Sequence, residues 1–133
     1  MDEREYKSTY KSINPTRCVF EKAINSRVWN CSKSVRFNLA DREGVSCNLT
    51  SAQKRCRQLL QTLRDNSRFA LQLSSLEEPL SHNAEIKIQN GGIKGVAKLI
   101  NADAIDERDI YTLIDTAIEQ YQNIETLPYQ TIV

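Results

Sequence analysis

The chain carries four cysteines, and all of them lie in one stretch near its N-terminal end. They are Cys18, Cys31, Cys47 and Cys56, separated by 12, 15 and 8 residues. Thiolates are soft ligands that suit zinc and iron–sulfur centres, so four of them in one small chain predict a metal centre. Because the gaps are wide, such a centre forms only when separate elements of the fold meet.

The spacing favours an iron–sulfur cluster over zinc. Structural zinc sites usually pair their cysteines as C-x2–4-C, and the ferredoxin run C-x2-C-x2-C is also missing from the sequence. We expect each ligand on its own element, with Cys18 in the first turn of a helix, Cys56 inside a helix, and Cys31 and Cys47 in loops. The remaining alternatives are a zinc site, or buried cysteines that act as small hydrophobic residues.

The N-terminal sequence predicts a cytoplasmic protein. Residues 1–6 carry charges of both signs with no apolar region behind them, unlike a secretory signal. No apolar run in the sequence approaches the ~20 residues of a membrane-spanning helix. Disulfides seldom persist in the cytosol, so metal ligation is favoured over disulfide bonding.

Basic residues accompany the cysteines. Arg17 precedes Cys18, Lys33 follows Cys31 by two positions, and Arg55 and Arg57 flank Cys56. A metal bound by four thiolates is anionic, and nearby cations lower the pKa of a thiol, so we expect these side chains to surround the centre. A solvated helix face would explain the same charges.

Charge is distributed unevenly along the chain. Residues 17–68 hold 11 basic and four acidic side chains, whereas residues 69–133 hold four basic and ten acidic ones. This asymmetry predicts an anion beside the first half. The anion is a bound cluster, a nucleic-acid backbone or the chain's own acidic half.

Composition and periodicity predict one helix-rich α+β domain. With 4 glycines and 3 prolines among 133 residues, turns are scarce. We expect four or so helices around a small two- or three-stranded sheet. Residues 1–14 are predicted to form a flexible arm and 15–133 the globular domain, with a four-cysteine half at 15–73 and an acidic strand/helix half at 84–133.

Apolar spacing places the individual elements. The predicted helices span 15–26, 50–66, 93–100 and 106–122. Residues 35–39 alternate like a half-buried strand, although a helix through 34–43 has nearly equal support. Residues 84–89 alternate more clearly and predict a strand that turns at Asn90-Gly91-Gly92. The glycines there match no phosphate-binding motif, which favours a turn with close helix packing.

Several segments together resemble a known group of proteins. They are C-V-F-E-K at 18–22, A-D-R-E-G-V-S-C at 40–47, a helix carrying Cys56, and a strand followed by N-G-G-I-K-G at 90–95. Across most of residues 17–100 the chain resembles small uncharacterised proteobacterial four-cysteine proteins. The resemblance implies an iron–sulfur centre, which is itself inferred for that group, and implies no activity.

Taken together, the sequence predicts a small cytoplasmic protein that binds one [4Fe–4S] cluster through its four cysteines. The expected role is electron transfer, redox sensing or service as an accessory subunit of a larger complex. One alternative is a zinc-stabilised interaction module, and another is a nucleic-acid-binding accessory protein that uses the basic 17–68 region. The sequence displays neither a nucleophile motif nor an acid–base pair, so a non-enzymatic role is favoured over an enzyme.

Overall fold

A computed structural model describes residues 2–70, 80–102 and 107–132. Within these ranges the chain forms six α-helices and a two-stranded antiparallel sheet, which confirms the predicted helix-rich α+β class. The helices are α1 (Glu3–Ile13), α2 (Glu21–Asn25), α3 (Thr50–Ala70), α4 (His82–Leu99), α5 (Ile110–Tyr121) and α6 (Tyr129–Ile132), and the strands are β1 (Ser34–Leu39) and β2 (Arg42–Cys47). The predicted start of the last helix, Asp106, lies outside the described residues.

The two strands form a hairpin whose register reaches one of the cysteines. Ser34 pairs with Cys47 at the open end, and Leu39 pairs with Arg42 beside the turn. Ala40 and Asp41 have φ angles of 50° and 67°, the left-handed conformation of both central residues in a tight hairpin turn. The strand predicted at 35–39 is therefore confirmed over the helical alternative.

Helix α4 lies at the centre of the fold, where it contacts α2, α3, α5 and α6. The core that these helices share is apolar, and its most deeply buried side chains include Leu59, Leu60, Leu63, Val96 and Leu113. Full burial of one such side chain contributes roughly 1.5–3 kcal/mol. The core therefore accounts for most of the cohesion of the helical part.

The strand predicted at 84–89 and the turn predicted at 90–92 are wrong, because both segments lie inside α4. The buried positions of this helix are Glu85, Ile88, Gln89, Gly92, Ile93, Val96 and Ala97. They follow the helical spacing of three and four residues. Two of these buried positions, Glu85 and Gln89, are polar. They obscure the helical period in the sequence, so apolar and polar residues at 84–89 alternate as they would in a strand.

The N-terminal residues form a helix where a flexible arm was predicted. Helix α1 is capped by Asp2, whose carboxylate accepts a 2.7 Å hydrogen bond from the Glu5 N–H, and its Tyr10 is buried. The hydroxyl of Tyr10 donates to Glu21, and the same carboxylate accepts a 2.7 Å hydrogen bond from the N–H of Val45. One buried acid thus joins α1 to α2 and to β2.

Helix α2 begins at Glu21 and not at residue 15 as predicted. The preceding residues are extended instead, since Arg17 bridges to Ser46 in antiparallel fashion. This pairing involves residues about thirty positions apart, so local spacing could not indicate it. The predicted end of the helix near Asn25 is confirmed.

Candidate metal centre

All four cysteines line one cavity of about 20 Å³. Its other walls are largely apolar and include Phe20, Ala52, Ile110 and Tyr111. A cavity of this size has room for about one water molecule. The structure thus brings together four thiols from four separate segments, and all four are present as free cysteines.

Cys18 and Cys47 are adjacent because residues 16–18 pair with the end of β2. The N–H of Cys18 donates to the carbonyl oxygen of Val45 at 2.9 Å, and the N–H of Cys47 donates to Thr16 at 2.7 Å. Cys18 therefore lies in an extended segment before α2, which corrects its predicted place in a helical turn. Cys47 ends a strand and does not lie in a loop.

Cys31 lies in a loop, as predicted, and α5 holds that loop in place. Asp109 caps α5 by accepting from the N–H of Tyr111, and it also accepts a 2.9 Å hydrogen bond from the N–H of Ser32. The N–H of Ile110 donates to Asn30 at 2.8 Å. The start of α5 and the Cys31 loop are therefore fixed to each other.

Cys56 occupies the second turn of α3, as predicted for a cysteine inside a helix. One turn earlier, the Gln53 side chain donates a 2.8 Å hydrogen bond to the carbonyl oxygen of Arg17. This bond attaches α3 to the segment that carries Cys18. Gln53 and Cys56 both line the cysteine cavity.

Burial controls the acidity of the thiols. It raises the pKa of Cys18 to about 12 and that of Cys56 to about 12, and it raises the pKa of Cys31 as well. Proximity adds to the effect, because the other thiols raise the pKa of Cys18 further. Without a metal these groups are therefore neutral at pH 7, unlike the thiolate of a reactive cysteine.

Backbone N–H groups partly oppose this effect. The N–H of Phe20 interacts with the Cys18 sulfur, and those of Lys33 and Tyr111 interact with the Cys31 sulfur. Each contact lowers the pKa of its thiol because it favours the charged form. The cavity therefore contains hydrogen-bond donors already directed at two of its sulfurs.

The described residues contain no group of three or more His, Cys, Asp or Glu side chains placed to hold a metal ion. Tetrahedral zinc with bonds of about 2.3 Å brings its sulfurs to about 3.8 Å from one another. The four thiols share a cavity, but they are not gathered around a single-ion site.

Of the four predicted basic residues, Lys33 lines the cavity and Arg55 contacts Tyr111, which lines it. Lys33 Nζ lies 4.9 Å from the ring centroid of Tyr111, and Arg55 Cζ lies 4.8 Å from the same centroid. Arg55 also lowers the pKa of Cys56 through its charge. Each contact of this cation–π kind contributes about 0.5–1 kcal/mol at an exposed site.

The other two basic residues point elsewhere. Arg17 pairs with Glu21 at 2.9 Å and lies over the ring of Tyr10. Arg57 lines a separate polar groove of about 520 Å³, which has Cys18 in its wall. Neither residue lines the cysteine cavity.

Sequence reasoning missed Asp109, Ile110 and Tyr111. Ile110 and Tyr111 supply one wall of the cavity, and Asp109 anchors the Cys31 loop. Asp109 is recognisable in the sequence as a helix cap, but its second partner, the N–H of Ser32, lies 77 positions away. The sequence offers no signal for that contact.

No protein family, curated protein or solved structure matches the chain. The resemblance to four-cysteine proteins therefore stays a prediction. None of the helices in residues 2–70, 80–102 and 107–132 combines the length and hydropathy of a membrane span.

Proposed function

We propose that the protein holds one iron–sulfur cluster, of the [4Fe–4S] type, through Cys18, Cys31, Cys47 and Cys56. The observation that carries the proposal is the convergence of all the cysteines in the chain on one cavity. Burial and the neighbouring thiols raise the pKa of Cys18, Cys31 and Cys56, so without a metal these three thiols are neutral at pH 7. A bound metal reverses that balance, since it deprotonates the thiols and accepts their charge.

The spacing of the thiols supports a cluster over zinc. The four cysteines share a cavity without forming a group that could hold one metal ion. A cluster gives each thiolate an iron of its own, so its sulfurs lie farther apart than those on a single zinc ion. The cavity of about 20 Å³ would have to widen to admit it. A zinc-stabilised interaction module is therefore the less favoured alternative.

The surroundings of the cavity suit a redox centre. When bound, a cluster supplies one-electron chemistry whose potential depends on hydrogen bonds to its sulfurs and on solvent access. The N–H groups of Phe20, Lys33 and Tyr111 would provide such hydrogen bonds, and Ile110 would restrict water. These features support electron transfer or redox sensing.

The basic region has less free charge than its composition implies. Five of its arginines form ion pairs with carboxylates: Arg17, Arg27, Arg42, Arg55 and Arg64. Two of the pairs, Arg55 with Asp115 and Arg64 with Glu85, reach into the acidic half. Binding of nucleic acid by this region is accordingly less favoured.

Anaerobic purification followed by metal and sulfide analysis tests the proposal. We expect a brown protein with a broad visible absorption band and iron and sulfide in equal amounts. Cys47→Ala should lose most of the iron, whereas Ser46→Ala, a change at the neighbouring position, should retain it. Both variants are measured under the same anaerobic conditions.

Other results would decide between the alternatives. A colourless protein with stoichiometric zinc would replace the cluster by the zinc module. Salt-sensitive copurification of nucleic acid without metal would favour the basic region instead. A soluble, folded protein that contains neither iron nor zinc would contradict a metal centre altogether.

A further inference from the structure

The polar groove that has Cys18 in its wall lies directly beside the cysteine cavity. It measures about 520 Å³ and is bordered by residues 15–22 and by helices α3 and α4. Cys18, Val19 and Gln53 line both the groove and the cysteine cavity. Of the four cysteines, all of which the structure describes, only Cys18 lines the groove. Its side chain therefore lies between the centre that the cavity would hold and the open groove.

The described residues that line the groove include two acids, and each is paired within the fold. Glu21 forms an ion pair with Arg17 at 2.9 Å, and Glu85 forms one with Arg64. Both acids are largely buried, with 7% of each residue exposed. Their charges are therefore compensated inside the protein, and they give the groove little negative charge.

Two further basic residues give the groove an excess of positive charge. Lys22 and Arg57 line it, and no described carboxylate forms an ion pair with either of them. Lys22 Nζ lies 2.8 Å from His82 Nδ1, a contact that leaves the lysine charge unbalanced. Arg57 follows Gln53 by one turn, about 20 Å along α3 from the last residue of that helix. The excess charge thus reaches the part of α3 that is bonded to the Cys18 segment.

An adjoining cavity of about 490 Å³ continues this basic surface toward α1. It shares three lining residues with the groove, namely Arg17, Glu21 and Lys22. The one further acid among its described lining residues, Glu3, pairs with Arg42 at 2.8 Å. The groove and this cavity together present four basic side chains that form no ion pair with a described carboxylate, and these are Lys7, Lys11, Lys22 and Arg57.

We propose that the groove and the adjoining cavity form the docking surface for a redox partner, a protein that presents an acidic patch beside a one-electron centre. This inference rests on the proposed cluster, and it makes Cys18 the ligand through which the electron passes. One electron moves between the cluster and the partner's centre, so one is oxidised as the other is reduced, and no bond forms or breaks.

Two physical effects favour this surface for electron transfer. Electron tunnelling slows steeply with distance, and a partner seated in the groove is separated from the cysteine cavity by the Cys18, Val19 and Gln53 side chains alone. Unbalanced positive charge attracts an acidic protein, raises its association rate and orients it on the surface. The two effects coincide at the groove.

A short polyglutamate peptide tests the surface itself. At low ionic strength it should bind the full-length protein and shift the nuclear magnetic resonance signals of the backbone N–H groups of Lys22 and Arg57. Added salt should weaken the binding, because it screens the charges. Lys22→Gln, Arg57→Gln should weaken it by about fivefold or more. Lys94→Gln, Lys98→Gln removes as many charges from exposed positions of α4 outside the groove and should leave it unchanged.

Charged inorganic complexes test the path of the electron. In the anaerobically purified protein with its cluster reduced, oxidation by anionic ferricyanide should slow as salt is added, whereas oxidation by cationic hexaamminecobalt(III) should not. Arg57→Glu should slow the first reaction by about threefold or more and accelerate the second. Lys98→Glu, the matched charge reversal outside the groove, should alter neither rate. Iron content and the visible spectrum establish that each variant keeps its cluster.

The outcomes separate the docking surface from the cluster. Iron-loaded protein whose oxidation rates respond to neither salt nor Arg57→Glu would overturn this inference and leave the proposed function intact. Protein without iron would overturn both. A peptide that fails to bind, or that responds equally to the two double substitutions, would contradict the docking surface. Tighter binding of a single-stranded oligonucleotide than of polyglutamate would assign the groove to nucleic acid instead.

Discussion

The cysteine-bearing segment, residues 16–56, and the helical segment, residues 57–70 and 82–132, are held together differently. The first consists of short elements that are joined by single hydrogen bonds between distant residues, such as Cys18 with Val45. The second packs apolar helix faces around α4. Both segments contribute side chains to one apolar core, Ile24 and Val45 among those from the first, so the difference lies in how their backbones are joined.

The largest effect should come from the cysteine segment. Cys56→Ala should abolish stoichiometric iron binding and lower the free energy of unfolding by several kcal/mol, on the order expected when metal binding and folding are coupled. Iron analysis and chemical denaturation measure both quantities. In metal-free protein the same substitution should matter little, and a variant that keeps its iron would contradict the proposed ligand set.

A change in the helical segment should separate stability from metal binding. Leu63 is fully buried, and Leu63→Ala should lower the free energy of unfolding by about 2–5 kcal/mol through lost burial and a cavity. Under native conditions the variant should keep its iron. Parallel loss of iron at temperatures where the variant is still folded would mean that the two segments are not separable.

The buried pair between α3 and α4 should make stability depend on pH. Burial works to raise the pKa of Glu85, but hydrogen bonds from Arg64 and Gln89 outweigh it and lower the pKa below its ordinary value of 4.5. The ionised form therefore stabilises the fold fully at neutral pH, and this contribution is lost as the pH falls through the folded-state pKa.

Replacement of Glu85 tests the direction of this pH dependence of stability. Glu85→Gln should cost about 1–3 kcal/mol at pH 7, and the difference from the parent protein should shrink below about pH 4. Denaturation at a series of pH values measures it. Glu119→Gln, at an exposed position of α5, serves as the control and should change stability little at any pH.

Asp109 joins the two segments, so its loss should affect both. Asp109→Ala removes the α5 cap and the partner of the Ser32 N–H, which should cost about 1 kcal/mol of stability. Iron should also be lost faster to a chelator, because the Cys31 loop is less well positioned. The cap substitution Ser81→Ala on α4 is the matched control, with a similar loss of stability and unchanged iron release.

The smallest effects should come from alanine substitutions at two adjacent glycines, and the two effects on stability should have opposite signs. Gly91→Ala should raise the free energy of unfolding by about 0.5–1 kcal/mol, because alanine favours the helix and its Cβ has open space. Gly92→Ala should lower it by about 1 kcal/mol or more, since its Cβ would press against Leu63. Thermal unfolding of both variants distinguishes the open helix position Gly91 from the packed position Gly92.

The sequence predicted elements whose buried residues repeat regularly, and missed those fixed by distant contacts. The apolar face of α3 and that of α5 follow from spacing alone, as does β1. The first half of helix α4 was not predicted because Glu85 and Gln89 occupy buried positions, where their side chains hydrogen-bond to each other at 2.9 Å. Polar residues at core positions erase the periodicity on which such predictions depend.

The candidate site was predictable in its ligands but not in its walls. Four cysteines in a small chain stand out by chemistry, whatever the fold around them. Asp109 and Tyr111 have no such signature, and their relation to Cys31 depends on pairing between residues near 30 and near 109. Their positions beside the cysteines follow from the tertiary fold and not from the local sequence. The identity of the bound group stays a prediction.

The contribution of Ile110 and Tyr111 to the cavity has a consequence for synthesis of the chain. During translation all four thiols emerge first, and this wall follows some fifty residues after Cys56. A nascent chain therefore exposes all four thiols before this wall of the cavity has been made. The cavity is complete only with α5, so the order of synthesis leaves an interval in which the proposed cluster could enter without any unfolding.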